Sequence, residues 1–173
     1  MGAKSASSWP KTTRVYESHS FDSKSWDVID VKESDIIIAT AYKSGTTWMQ
    51  TIVSKILFKD GPLPNDAKSV GDLSPWIDLR VPPRPVKKEM MEAQSQNRRF
   101  MKTHLPATAL KEYKGSKKLY ICRDGRDAFF SLLNHWKMAN EAFYGALNKT
   151  PGLVGLEIPS YEETTKGCET EDD

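Results

Sequence analysis

Long apolar runs are missing from this 173-residue chain. No stretch comes near the roughly 20 apolar residues of a membrane-spanning helix, so no membrane partner is expected. The opening stretch, Met1 to Pro10, lacks the apolar core of a secretory leader. Gly2 invites a myristoylation reading, but that motif wants Ser or Thr at the sixth residue and Ala6 stands there. Cysteine is scarce. Cys122 and Cys168 are far apart and follow no metal or redox spacing, which reads as two reduced thiols in a cytoplasmic protein with no metal. Surplus charge is small too: 25 Lys and Arg against 23 Asp and Glu leave a formal net charge of +2. No global field recruits nucleic acid, so none is expected as a partner and any anion site must be local.

What is present is ordinary for one soluble domain: 38% hydrophobic and 28% charged residues. Residues 1–22 are rich in Ser, Thr and Lys and read as a flexible arm. Trp26 and Val28 to Val31 read as the approach to a first strand. Ile36 to Thr40 is a continuous β-branched run, as in a strand buried on both faces of a parallel sheet. A helix follows from near Thr46, with Trp48, Ile52, Ile56, Val53 and Leu57 forming one broad apolar stripe toward the sheet, and Lys59-Asp60-Gly61-Pro62 ends it. Residues 61–85 hold most of the prolines, and Leu73 to Ile77 reads as a pocket wall within that loop. Val86 to Gln96 suits an exposed helix. Arg99 to Thr103 and Leu119 to Cys122 read as two more strands, and Asp124 to Met138 as a helix. Repeated strand-then-helix units predict an α/β, three-layer sandwich with a central parallel sheet. Residues 160–173 read as a disordered acidic tail, and the chain is expected to stop before its sheet and site are complete.

The most informative stretch is Tyr42-Lys43-Ser44-Gly45-Thr46-Thr47-Trp48. A strand, a short loop with one glycine, then a helix start is the layout of a phosphate cradle: backbone N–H groups and the helix N-terminus converge on an anion, and lysine adds a full charge. The lysine precedes the glycine, the reverse of the order in common ATPase loops. Two more polar clusters follow predicted strands, Lys102-Thr103-His104 and Arg123-Asp124-Gly125-Arg126-Asp127. Ligands of parallel sheets bind at the carboxyl ends of the strands. Three such ends carrying cationic or titratable groups point to an anion site in at least two parts, with a histidine between them.

In combination these residues resemble the soluble sulfotransferases, which use 3′-phosphoadenosine 5′-phosphosulfate (PAPS) as sulfuryl donor. The resemblance rests on Lys43 to Trp48, on Lys102-Thr103-His104-Leu105-Pro106 and on Arg123 with Ser131, in that order, across about residues 25 to 150. Ser74-Pro75-Trp76 and Tyr144 to Asn148 look closest to the bacterial-type aryl or alcohol enzymes. The resemblance implies a P-loop-like fold and transfer of a sulfuryl group to a hydroxyl or phenol acceptor. It implies that Lys43, Ser44, Gly45, Thr46 and Thr47 hold the 5′-phosphosulfate, with Trp48 near the nucleotide. Arg123 and Ser131 would hold the 3′-phosphate. His104 would be the general base, Lys43 would meet the leaving group, and Lys102 would steady the transferring group. The family usually has proline or alanine where this chain has Tyr42, and its later Arg-Lys-Gly segment is absent here.

Plainer roles stand beside these. The glycine loop can be a turn with a helix cap at Ser44 or Thr46. Arg123 can pair with Asp127, and Asp124 can cap the helix. Trp48, Phe129 and Trp136 are core candidates, His19 and His135 read as structural, and Lys87, Lys88, Lys117 and Lys118 read as solvated. Two alternatives to the enzyme remain open: another P-loop nucleotide-binding protein such as a small kinase, and a truncated chain without catalysis.

Overall fold

The computed structural model describes residues 9–59, 63, 67–94, 98–160 and 162–163. Its centre is a sheet of three parallel strands, β1 (Ile36–Thr40), β2 (Phe100–Thr103) and β3 (Lys117–Ile121), in the order β2-β1-β3. Ile37 faces Met101 and Lys118 across the ladders, and Ile38 faces Lys102 and Leu119. Neighbouring strand residues point to opposite faces. Ile37 and Met101 therefore enter one core with Trp26, Ile77, Met91 and Leu110. Ile38 enters the other with Phe100, Val53 and Leu73. Helices α1 (Thr46–Phe58) and α2 (Val70–Leu73) cover that second face. Helix α3 (Arg84–Ala93) and a short 3-10 helix at Ser23–Val28 cover the first, which makes the expected three layers. The helices α4 (Gly125–Lys137) and α5 (Glu141–Lys149) follow β3.

The β1 end of the sheet is pinned by charge. Arg99 donates to both carboxylate oxygens of wholly buried Asp35, at 3.0 and 2.5 Å, and to the carbonyls of Met91 and Asp30. Asp35 also accepts from Lys32 N–H at 2.8 Å. Every charge taken out of water here meets a partner, the condition for tolerating a buried pair.

Several expectations fail for identifiable reasons. The segment before β1 is a 3-10 helix, not a strand lead-in, because Ser25 turns back to bond Asp22. Residues 9–22, read as an arm, run along the body: Trp9 Nε1 donates to Leu110 O at 2.9 Å and Thr13 N to Thr108 O at 2.8 Å. The inward face of α1 is Thr46, Gln50, Val53 and Ser54, whereas Trp48 is 78% exposed and Ile56 72%. Gln50 wins the inner position because its amide donates to Ser74 O at 2.9 Å, tying α1 to α2. Phe129 is half exposed, and α4 contributes no buried residue. Lys87, read as solvated, is 1% exposed; its ammonium bonds Ser25 Oγ at 2.9 Å and the Leu79 carbonyl. Of the tail, Ser160 and Glu163 bond each other's backbone N–H, and residues 161 and 164–173, with Cys168, and residues 1–8 lie outside the described residues.

Candidate functional site

Because the strands are parallel, the residues after Thr40, Thr103 and Ile121 emerge along one edge of the sheet. The loop after β1 turns sharply there. Lys43 has φ 57° and Gly45 φ 100°, both in the left-handed region. Such turns aim successive backbone N–H groups to one side as an anion-binding concavity. A Cβ on Gly45 would meet nothing within 4 Å, so that side is open. Helix α1 starts at Thr46 without a side-chain cap, which leaves its first N–H groups unclaimed by the protein's own side chains. The cap expected at Ser44 or Thr46 is not made. Ser44 is buried and its Oγ reaches the Tyr42 carbonyl at 3.4 Å, while Thr46 Oγ1 lies 2.6 Å from Thr40 Oγ1.

These groups open into a cavity of about 460 Å³, within the usual size range of small-molecule sites. From the loop and α1 it receives Lys43, Gly45, Thr46, Thr47 and Trp48. From β2 come Lys102 and His104, and from the third strand end and α4 come Arg123 and Ser131. Ser44 alone of the expected residues is not part of its lining. Arg123 Nη1 donates to the Lys43 carbonyl at 3.1 Å, which brings the first and third clusters into direct contact. The plainer roles are realised as well: Arg123 lies 3.8 Å from Asp127, and Asp124 caps α4. Among the described residues no three His, Cys, Asp or Glu side chains gather as a metal-binding group.

His104 is held from several sides. Thr40 presents its carbonyl oxygen at 2.9 Å and its hydroxyl at 3.0 Å to the same ring nitrogen, Nδ1. A carbonyl only accepts, so the proton sits on Nδ1 and the lone pair on Nε2. The Trp76 ring stands at 87° to the imidazole with centroids 4.6 Å apart, and Tyr42 lies 4.8 Å away. Burial pushes the imidazole's pKa below its ordinary value; Lys102 adds to that, against the Thr40 carbonyl and the charge of Asp78. Lys102 is lowered as well, chiefly by burial, and its ammonium sits 5.3 Å over the Trp76 ring. Burial drives the Tyr42 phenol pKa far up, so Tyr42 stays neutral.

Some of this was not readable in the chain. Trp76 does reach the cavity, because residues 75–77 pair along the edge of β2: Lys102 N donates to Pro75 O and Ile77 N to Lys102 O. His135, read as structural, also lines the cavity, where burial and then Lys43 lower its pKa. Buried Arg80 donates to the carbonyls of Leu147 and Leu156, which fastens α5 and residue 158 beside the cavity. Asp78 went unremarked; an acid between Ile77 and Leu79 in an apolar loop was the available sign.

A strand–loop–helix turn beside a histidine, at the carboxyl edge of a parallel sheet, defines an α/β protein with its candidate site at the strand ends. Residues 33–166 match the family model described as a sulfotransferase domain, and the chain belongs to that family. It is 41% identical over 136 residues to a glycolipid sulfotransferase of Mycobacterium tuberculosis, covering 76% of this chain and 40% of that protein. It is 31% identical over 128 residues to sulfotransferase 2A2 of Mus musculus, covering 72% of this chain and 41% of that one. The chain thus spans about 40% of the length of the curated relatives it matches. A crystal structure of retinol dehydratase with retinol and PAP aligns with a TM-score of 0.46 at 22% identity, covering 80% of this chain and 51% of that one.

Proposed function

We propose that this chain carries the donor cradle and the base of a PAPS-dependent sulfotransferase acting on a small hydroxyl or phenol acceptor in the cytoplasm. The supporting observation is the His104 ring, fixed through Nδ1 by Thr40 in a cavity shared with Lys43 and Lys102. The residues present suit the donor. The open loop at Gly45 and the uncapped start of α1 offer N–H groups to the 5′-phosphosulfate, and Lys43 adds charge where the leaving phosphate gains it. Arg123 and Ser131 are the groups for the 3′-phosphate. Trp48, on the rim, offers a face to the nucleotide.

In the reaction, the acceptor hydroxyl gives its proton to Nε2 of His104 while its oxygen bonds to sulfur. The bond from sulfur to the phosphate oxygen breaks, and its electron pair stays on the departing nucleotide. Charge spreads over oxygens in a loose, in-line transition state, as in phosphoryl transfer. A depressed imidazole pKa keeps His104 unprotonated, and so competent as a base, at neutral pH.

The test is His104→Ala, assayed for transfer from PAPS to 4-nitrophenol and for calorimetric binding of 3′-phosphoadenosine 5′-phosphate. Transfer should be lost, by roughly 10²-fold or more as for a general base, while nucleotide affinity stays within a few-fold. Comparable turnover by the variant removes His104 from the mechanism.

A further inference from the structure

Asp78 is wholly buried one loop away from the base. Its carboxylate accepts three hydrogen bonds from three separate stretches. Trp26 Nε1 reaches Oδ1 at 3.2 Å, and Oδ2 takes both Trp76 Nε1 at 2.8 Å and the His104 backbone N–H at 3.1 Å. None of these donors carries a charge, so the negative charge is solvated by dipoles and acts on what surrounds it. Two of the three donors belong to the residues whose rings meet at 4.6 Å. The loop itself is fixed: Asp78 O accepts from Asp22 N at 2.8 Å, and Ile77 N donates to Lys102 O at 3.2 Å.

We propose that Asp78 is a positioning residue for His104: one carboxylate clamps the His104 backbone and holds Trp76 against the imidazole, and its charge stabilises the imidazolium formed when the acceptor's proton reaches Nε2. The second half of this proposal rests on the reading of His104 as base; the clamp does not. The groups facing the imidazole are Asp78 from the loop, Lys102 from its own strand, the Thr40 carbonyl and hydroxyl from β1, and the neutral rings of Tyr42 and Trp76. Asp78 is the carboxylate among them. It opposes the effects of burial and Lys102 on the ring, and it has the same influence on Lys102 itself. A buried anion held by neutral donors is costly without positive charge nearby, and here its charge is felt by the ammonium groups of Lys102 and Lys87 and by the His104 ring.

The experiment is proton NMR titration of the three histidines in the full chain, with His104→Gln assigning the His104 signal. Asp78→Asn removes the charge at nearly constant volume. Its midpoint for His104 should move to lower pH by more than any movement of His19. Asn's amide N–H₂ will confront an indole donor, so Asp78→Asn is also made together with Trp26→Phe, with Trp26→Phe alone as reference. An unmoved His104 midpoint in a folded Asn variant overturns the proposal. So does loss of folding in both Asn variants while Trp26→Phe stays folded, since Asp78 would then serve folding only. Neither result touches the transfer assay of His104→Ala, so failure of the base reading and failure of this proposal are separable.

Discussion

Gly45→Ala separates a loop built to bind from a loop that merely turns. At φ 100° an L-residue is strained, and the left-handed region costs about 1–2 kcal/mol for a residue with a Cβ. The new methyl would have no neighbour within 4 Å, so no overlap adds to that cost. Stability should therefore fall by only about 1–2 kcal/mol, read as an earlier urea midpoint with unchanged slope. Gly45 itself lines the cavity, so the methyl is added to a wall of the site. A phosphate drawn against the N–H groups there would lose one or two charge-assisted hydrogen bonds of about 1.5–3 kcal/mol each. That predicts a loss of roughly 10- to 100-fold or more in affinity for 3′-phosphoadenosine 5′-phosphate by calorimetry. Gly155→Ala is the contrast. Its φ is 87°, but its Cβ would lie 2.5 Å from the Ser18 carbonyl oxygen. Overlap costing about 1–3 kcal/mol joins the dihedral strain, so it should destabilise more than Gly45→Ala and leave the affinity of the folded fraction intact. Undiminished binding by Gly45→Ala would refute the cradle.

Arg123→Ala should weaken 3′-phosphoadenosine 5′-phosphate by about tenfold or more, the value of one charge-assisted bond, and leave adenosine 5′-monophosphate nearly unchanged; equal losses for both would remove Arg123 from the 3′-phosphate. Lys87 gives a pH signature. Burial lowers its pKa from 10.5 to about 8, so above pH 8 the unfolded chain binds the proton that the folded chain has released, and stability rises with pH. Between pH 8 and pH 9, below most tyrosine ionisation, the gain should be about 1 kcal/mol in urea unfolding, and Lys87→Met should remove most of the slope. A flat wild-type profile would contradict the burial of a charged Lys87.

Local pattern reached the strands, the loop and α4 because their signals are local. The β-branched run at 36–40 has only one good use in a parallel sheet, and Asp124 caps α4 through its own neighbours. The same reasoning placed Val53 and Leu57 inward correctly but added Trp48, Ile52 and Ile56, which are more apolar than the Gln50 and Ser54 that take inner positions. The decision there belongs to Ser74 O, 24 residues away from the Gln50 amide it accepts from. Lys87 reads as solvated and Asp78 goes unremarked because their partners lie far along the chain: Ser25 for Lys87, and Trp26 and the His104 N–H for Asp78. Helix α5 went unread because Gly145 and Tyr144 dilute its periodicity, while Asn140 caps it at Phe143 N.

The site divides into two halves with different supports. On the donor side, the groups that would meet phosphates are backbone N–H groups of the Gly45 turn and the exposed or half-exposed side chains of Lys43 and Arg123, joined through the Lys43 carbonyl. On the acceptor side, His104 is locked by β1, by the Asp78 loop and by two aromatic rings, and all of these are fixed by the core. One short chain of oxygens joins the halves: Thr46 at the start of α1 touches Thr40 Oγ1 at 2.6 Å, and Thr40 touches His104 Nδ1 at 3.0 Å. Thr46 also lines the cavity. A ligand that reorients the Thr46 hydroxyl therefore acts on the Thr40 hydroxyl beside Nδ1, whereas one that engages only Arg123 does not; the tautomer itself is set by the Thr40 carbonyl. On the reading of His104 as base, the Thr40 carbonyl has already oriented the imidazole, which lowers the reorganisation required at the moment of proton transfer.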